Sequence, residues 1–538
     1  MSAVIAYLSL GVITLSPLLW ASVPPLVDYP NHLARMAILA HVGNPAIAEN
    51  YVSDWHLLPN LAMDIVVPAL AHLLPLECAG RVFIAATMAL LVIGTVMLRR
   101  ALQGSVGIWP ICSFLFIYNI VLWYGFLNYL FALGVAIIGF AGWVSTTRWN
   151  PIWRLPLFSA VASVLFVLHL FALGVFGLLV IAFEAGEFFR TRGSFRVTQQ
   201  ASLIIGVFIP AGLMWLMSIG HGGPTYVAYG GLNDRIVAFI APVSFNDPPT
   251  LFDFSLFVLA MVAIIIGFWS RSISIIPPMR VPLCALLLAS VLMPEWVQGS
   301  WAASFRLPIV LPFLFIASLD IDNVQSRAVT RVAVLIAATL LCVRIWAVSE
   351  TWRHLDHQFS EFRSALRSVP AGVRLFTVHG PMPNSAKNIN KVPLALQELD
   401  PANYAYLSTL AVIDRGVFIP GLFTGWYPVK ASVANSGLSR VMTLVTPEDL
   451  PKLASLNVAS GKNLPRNVLG ESPCCLDWPR TYQFVIWIDF GHVPNRLPSN
   501  LGSWAAGSFF HIYRVTAPAP NLRTHDLSNR SLGTTGAH

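Results

Sequence analysis

The sequence predicts a polytopic α-helical membrane protein of about eleven spans with a C-terminal extracytoplasmic mixed α/β domain. Three observations predict it. Of 538 residues, 56% are hydrophobic and only 11% are charged, against roughly 25% charged in soluble domains. The mean hydropathy is +0.68, more apolar surface than a soluble chain of this length could hide. Seventeen Trp and 33 Phe suit interfacial belts and lipid-facing surfaces. This composition excludes a cytosolic enzyme, a disordered scaffold and a nucleic-acid-binding module. The net charge of +8 is no phosphate-binding stripe, because the basic residues of the first 350 positions fall in short clusters between apolar runs.

A span needs about 20 apolar residues. The runs at 3–22, 80–98, 107–122, 126–145, 156–168, 170–187, 201–218, 254–269, 281–294, 305–319 and 329–348 meet that need or come near it. Residues 3–22 read as a retained first span, because they lack a basic leading region and are followed by Pro24 and Pro25. Arg99–Arg100, Arg148 with Arg154, Arg190 with Arg192 and Arg196, Arg271 with Arg280, and Arg327 with Arg331 read as cytoplasmic clusters. The chain must therefore cross and return between Arg100 and Arg148, turning near Gly125 and Asn128. It must do the same between Arg154 and Arg190, turning near His169. The N-terminus is then cytoplasmic. The outer segments are 23–79, the turns at 123–128 and near 169, 219–253, 295–304 and everything after 349.

The predicted domains are a transmembrane unit at 1–348, an outer α/β domain at 349–519 and a disordered polar tail at 520–538. In the first outer loop, Pro30–Val42 and Asn60–Leu74 read as amphipathic helices lying in the membrane interface. In the tail, Glu350–Val369 reads as an amphipathic helix and Glu448–Leu456 as a short one. Strands are expected at Arg374–Val378, Tyr406–Val412, Gly416–Ile419, Gln483–Asp489 and Phe509–Val515. Six Cys are too few and too scattered for a disulfide framework. A tail disulfide through Cys474 or Cys475 remains open.

The segment from Pro24 to Arg35, PPLVDYPNHLAR, carries the first chemistry. Asp28 sits at the membrane boundary, where an ionisable group is costly and points to function. It could equally cap a helix beginning near Pro30. His32 and Arg35 follow. Ser53 to Asp64, SDWHLLPNLAMD, adds Asp54, His56, Asn60 and Asp64. Asp64 on an apolar helix needs a partner, with Arg35, Arg81 and Arg306 as candidates. Asp28, His32, Asp54, His56 and Asp64 could instead converge on a divalent metal ion, with Asp28 and Asp64 as its leading ligands, although their spacing matches no metal motif. Arg306 lies in the run Pro294 to Pro308, and Glu295 is its candidate partner. His169 falls within an apolar run. Asp234 and Arg235, beside a glycine-rich stretch, read as solvated. His379–Gly380 and the Gly425–Trp426–Tyr427 turn offer sugar-stacking groups in the tail.

One span followed at once by an acidic outer loop with two interfacial helices, then many spans with short outer hairpins, then an outer α/β domain, resembles the C-type glycosyltransferase superfamily. That superfamily includes protein O-mannosyltransferases and lipid A aminoarabinose transferases. The resemblance implies a polyprenyl-phosphate-linked sugar as donor, a lipid or glycan acceptor, and a bacterial inner (plasma) membrane location. It implies that Asp28, which matches the first-loop acidic residue by position, is the base. The superfamily's paired acidic motif is absent, since Tyr29 and Pro30 follow Asp28. Sugar transfer also needs cationic donors for the departing phosphate. Arg306 is the leading candidate for that task, with His32, Arg35, His56 and His169 as further substrate-binding candidates. A transporter or flippase of lipid-linked sugars should show a repeat between its halves and midplane polar residues, and neither is visible. An O-antigen ligase or polymerase would carry a large central outer loop. A scaffold without chemistry would not gather ionisable residues in one loop.

Overall fold

The computed structural model describes residues 2–191, 194–218, 226–297, 300–320, 327–380, 401–425, 427–436, 438, 450, 478–489 and 498–516. The predicted Glu448–Leu456 helix, apart from Leu450, lies outside the described residues, as do Cys474, Cys475 and the tail from 520. Uninterrupted apolar runs fold as helices. The first is α1 (Ser2–Leu15), which tightens into a 3-10 turn at Ser16–Leu19 where Pro17 ends the α ladder. The first loop carries α2 (Tyr29–Leu39), α3 (Ile47–Asn50) and α4 (Ala62–Ala71). Then come α5 (Leu76–Gln103), α6 (Ile120–Trp123), α7 (Leu127–Ser145), α8 (Pro151–Leu168), α9 (Leu170–Thr191) and α10 (Ser194–Ser218). After these come α11 (Leu232–Ile240), α12 (Leu251–Trp269), α13 (Pro277–Leu292), α14 (Ala303–Ser318), α15 (Arg327–Leu366) and α16 (Leu410–Arg415). Among the described residues, seven helices are long and apolar enough to cross a membrane, and the apolar helices at 4–19, 62–71, 277–292 and 303–318 are shorter. The chain is an integral membrane protein.

The expected span at 107–122 is not an α-helix. Trp109–Phe116 is a 3-10 helix and the four-residue α6 follows. The segment still runs the length of the bundle. Gly107 lies beside Arg99 and accepts from the Tyr7 hydroxyl (3.4 Å), while Tyr124 accepts from the Asp28 N–H (3.0 Å). It packs against α1, α5, α14 and α15, and non-helical backbone at membrane depth is tolerated only inside such protein surroundings. Buried Asn119 meets the polar demand there. Its Nδ2 donates to the carbonyls of Phe116 (2.9 Å) and Ile117 (3.1 Å), and its Oδ1 caps Leu122 N–H (3.0 Å).

The segments predicted as outer gather at one end of the bundle. Asn128 donates to the Asn60 carbonyl (2.7 Å) and accepts from Met63 N–H (2.6 Å), while Leu61 N–H reaches Val167 O (2.9 Å). Tyr124 hydrogen-bonds Asp247. At the opposite end, Arg99 donates to Leu319 O (2.8 Å) and Arg154 pairs with Glu184 (3.8 Å).

The expected span 329–348 and amphipathic helix 350–369 are one continuous helix, the 40-residue α15. No Gly or Pro interrupts it. At 1.5 Å per residue it is about 60 Å long, roughly twice a hydrocarbon core, so its end projects and carries the tail. Arg363 near that end is bidentate to Asp414 (2.8 and 2.5 Å) and reaches Glu77 (3.2 Å).

The strands are β1 (Tyr51–Ser53), β2 (Val227–Ala228), β3 (Ser274–Ile275), β4 (Trp296–Val297), β5 (Leu319–Asp320), β6 (Leu375–His379), β7 (Val429–Ala431), β8 (Phe484–Ile488), β9 (Leu501–Ala506) and β10 (Phe510–Val515). The tail sheet has the order β6-β8-β10-β9, with β6 and β8 parallel and the rest antiparallel. The short pairs are β2–β4, β3–β5 and β1–β7. The β1–β7 pair joins the first loop to the tail. The expected strand at Tyr406–Val412 is instead a 3-10 turn (Leu407–Thr409) leading into α16. Thr409 Oγ1 bonds back to Tyr406 O (2.6 Å), and Gly416 ends the helix in the left-handed region (φ 61°). A Cβ on Gly416 would lie 2.6 Å from the Ile47 nitrogen, so glycine is required. The expected strand Gly416–Ile419 is reduced to one parallel bridge, Arg374 to Phe418.

Buried Asn50 ties α3 to the tail. It donates to Gly372 O (3.1 Å) and Gly416 O (2.7 Å) and accepts from Asn435 Nδ2 (2.7 Å). Asn50→Ala strands these groups, at about 1–3 kcal/mol for each one left unpaired. The first thermal transition of the detergent-solubilised protein is expected to fall, with a loss on the order of 2–4 kcal/mol. An unchanged transition would show that the loop and tail are held by other contacts.

Candidate functional site

Asp28 directly precedes α2. The backbone holds it, since Val27 and Asp28 N–H donate to the carbonyls of Trp123 and Tyr124 (3.0 Å each). Gly125 makes that approach possible, with φ 82° and room for a Cβ only 3.1 Å from Asp28 N. The capping role open to Asp28 is not taken up, because the side chain makes no cap hydrogen bond and the backbone is helical there (φ −83°, ψ −11°). The carboxyl is half-buried and has no hydrogen-bond or ion-pair partner among the described residues. Burial pushes its pKa up to about 7, against the opposing pull of Arg35 and then Arg306.

Arg35 and Asp64 form a bidentate pair (Nε–Oδ1 2.6 Å, Nη2–Oδ2 3.0 Å) in which both side chains are 0% exposed. The pair joins α2 to α4. The Arg35 guanidinium also stacks on the Tyr427 ring, 3.9 Å from its centroid, and leaves Nη1 buried without a partner. Of the three candidate partners for Asp64, the structure selects Arg35. Arg81 instead donates to Leu18 O (3.3 Å).

Arg306 sits in the first turn of α14, where the positive end of the helix dipole also favours an anion. Its guanidinium faces three aromatic rings, with centroids 5.1 Å (Phe126), 5.4 Å (Phe171) and 5.9 Å (Tyr129) away. The Tyr129 hydroxyl donates to Arg306 O (2.5 Å). Nη2 donates weakly to Trp301 O (3.3 Å), and Nε is buried without a partner. Glu295 is not its counter-ion, because it accepts from Trp301 Nε1 (2.9 Å). Among the described residues Arg306 has no ion-pair partner.

The tail closes over α2. Asn31 Nδ2 donates to Gly421 O (2.9 Å), and Asn31 Oδ1 accepts from Phe423 N–H (2.8 Å). His32 packs edge-on against Phe423 (5.4 Å). Its Nδ1 is buried without a partner, and burial, followed by the Arg35 charge, holds its pKa well below the usual value. The imidazole is therefore neutral.

Asp28, His32, Arg35 and Arg306 thus share one region, and His169 joins it edge-on to Tyr129 (5.4 Å), with Nδ1 accepting from Phe171 N–H (3.1 Å). His56 does not join this group. It stands by Asp54 (3.5 Å), which Lys430 also pairs with (2.5 Å), at the β1–β7 edge. Asp234 is not merely solvated, since it accepts from Gly231 N–H (2.7 Å) in a helix cap. The expected metal does not fit. Both Asp64 oxygens are taken by Arg35, and among the described residues no group of three or more His, Cys, Asp or Glu is placed to hold a metal ion. Trp426 lies outside the described residues. The sequence reading missed Tyr124, Tyr129, Tyr406 and Phe423. The dense run YGFLNY (124–129) around a predicted outer turn was a usable signal for the first two.

Neither a protein-family model nor a curated protein matches the sequence. Two solved structures do match the fold. The crystal structure of ArnT from Cupriavidus metallidurans in the apo state superposes with a TM-score of 0.51 at 11% identity, covering 95% of this chain and 97% of that one. The crystal structure of the same protein bound to undecaprenyl phosphate gives a TM-score of 0.49 at 12% identity, over 94% and 97%. The likeness to the apo structure is one of fold. Over nearly its whole length this chain shares the fold of that ArnT.

The raised Asp28 pKa has a thermodynamic sign. Between the unfolded value near 4 and about 7, the folded state binds the extra proton, so this group's contribution to stability is full below pH 4 and is lost as pH rises through 7. Asp28→Asn removes that loss. Its thermal midpoint in detergent is expected to gain on the parent's as pH rises from 5 to 8, and a pH-independent difference would place the carboxyl in an ordinary solvated setting. Asp64→Asn is expected to behave otherwise, losing about 3–5 kcal/mol at all these pH values by stranding Arg35.

Proposed function

We propose that the protein is a membrane glycosyltransferase that moves a sugar from a polyprenyl-phosphate donor to a lipid or glycan acceptor on the extracytoplasmic side. The observation that carries the reading is a half-buried carboxyl, Asp28, near an aromatic-caged guanidinium, Arg306, neither of which has an ion-pair partner among the described residues. The fold shared with ArnT over nearly the whole chain supports the class of reaction.

In this mechanism Asp28 accepts the proton of the acceptor hydroxyl. The acceptor oxygen bonds to the anomeric carbon, and the bond from that carbon to the phosphate oxygen breaks. The charge that develops on the leaving polyprenyl phosphate is met by Arg306, whose planar donors suit a phosphate. An aromatic cage excludes water and strengthens that contact. His169 and His32 line the region, and Arg35 is a positioning residue rather than a phosphate ligand, because Asp64 takes two of its donors. No step uses a metal ion.

The proposed topology keeps the eleven crossings, with 109–124 as a buried non-α crossing and 277–292 and 303–318 as short ones. The N-terminus is cytoplasmic, and residues 349–519 form the outer domain of a bacterial inner-membrane protein. Reporter fusions after residue 349 are expected to be active only outside the cytoplasm, and those near 100, 150, 195 and 275 only inside. The reaction is tested with membranes that hold or lack the protein, supplied with labelled polyprenyl-phosphate sugars. Label should reach a new acceptor only when the protein is present. Asp28→Asn should reduce transfer by about 100-fold or more, with normal expression. Arg306→Ala should abolish most donor use, and Arg306→Lys should restore only part of it. Parent-like transfer by both Arg306 variants would leave that residue a packing role alone.

A further inference from the structure

The face of the C-terminal domain that closes over Asp28 is more than a packing contact. The ring of Phe423 stands edge-on to His32 (5.4 Å) and to Tyr406 (5.0 Å) and lies stacked beside Tyr427 (5.7 Å). Tyr427 in turn lies under Arg35 (3.9 Å), and the two Asn31 hydrogen bonds fix the strand of chain that carries Phe423. The result is an aromatic cup over α2, the helix that Asp28 directly precedes.

Two features of this cup point to a ligand. First, neither the Tyr406 nor the Tyr427 hydroxyl has a hydrogen-bond partner among the described residues, and each oxygen is accessible rather than sealed in the core, so both are available to a ligand. The other tyrosines of this contact are already engaged, with Tyr51 bonded to Ile419 O (3.1 Å) and Tyr404 to Gln358. Second, the Asp28 charge acts on both phenols and the Arg306 charge acts on Tyr427, while Tyr427 also lies against Arg35. The space beside these charges has to hold the group being transferred.

We infer that Tyr406, Phe423, Tyr427 and His32 form the sugar subsite, with ring faces for the apolar face of the sugar and the two phenol hydroxyls for its polar groups. The cup contributes no free cation, since Arg35 is neutralised by Asp64 and His32 is uncharged. A neutral polyol therefore suits it better than a second phosphate. The subsite would make the soluble domain the determinant of which sugar is accepted. This assignment rests on the transferase reading above.

The test is equilibrium binding to the detergent-purified full chain, with polyprenyl phosphate alone and with the same lipid carrying one of a panel of hexoses or pentoses. The parent is expected to bind at least one sugar-bearing lipid more tightly than the bare one. Tyr406→Phe and Tyr427→Phe keep the rings and the packing and remove only the hydroxyls. Each is expected to weaken the preferred sugar-bearing lipid by about tenfold, to leave bare polyprenyl phosphate within about twofold, and to keep the parent's thermal midpoint. Variants that retain the parent's preference, or that weaken both lipids equally, would overturn the subsite while leaving the transferase reading intact. A parent that binds neither lipid would overturn the transferase reading, and the subsite with it.

Discussion

Arg35 and Asp64 lie side by side with no solvent exposure, on two short helices of the first loop. Taking both charges out of water is expensive, and only the bidentate geometry returns that energy. Neither partner is replaceable alone. The pair fixes the angle between α2 and α4, and α2 is the element that presents Asp28 at its start. The Arg35 face also carries Tyr427 from the tail. One ion pair thus sets the relation of the first loop, the bundle and the C-terminal domain.

With that frame fixed, the neighbouring charges are left open. Among the described residues Asp28 has no cap bond and no counter-ion, and Arg306 has rings around it instead of a carboxylate. A fold selected for stability alone would pair them or replace them, since a buried group without a partner costs about 1–3 kcal/mol or more. Such a cost is expected where a ligand completes the interactions. The contrast within one small region is between one closed pair, Arg35 with Asp64, and two open charges, Asp28 and Arg306.

Much of the bundle was legible because hydropathy and basic clusters are local signals. The turn at Gly125 and the hairpin at His169 fall where parity required them. Residues 107–122 were misread as a helix because hydropathy reports burial and not the hydrogen-bond pattern, and Asn119 supplies what an α ladder would have supplied. The break expected before Glu350 was a change of polarity, which does not interrupt a helix lacking Gly and Pro. Leu501–Ala506 was missed because LGSWAA has little β propensity and gains its strand from pairing with β10. Within the site, Asp28 and Arg306 stood out as charges at membrane boundaries. Tyr406 and Phe423 could not stand out, because 378 and 395 positions separate them from Asp28 and no local pattern marks such a contact. Asp64 was placed on the correct helix, but whether it met a metal or Arg35 depended on how α2 and α4 cross.

The central claim is that the Asp28 carboxyl, held partly protonated near neutrality by burial, is the proton acceptor in sugar transfer. The most direct measurement is the pH profile of transfer from a labelled polyprenyl-phosphate sugar, for the parent and for Asp28→Asn at equal membrane levels. The account predicts that parent transfer rises through a single step centred near pH 7, matching a carboxyl pKa of about 7, and that Asp28→Asn stays flat at its residual rate. A parent-like rate and step in Asp28→Asn would contradict it.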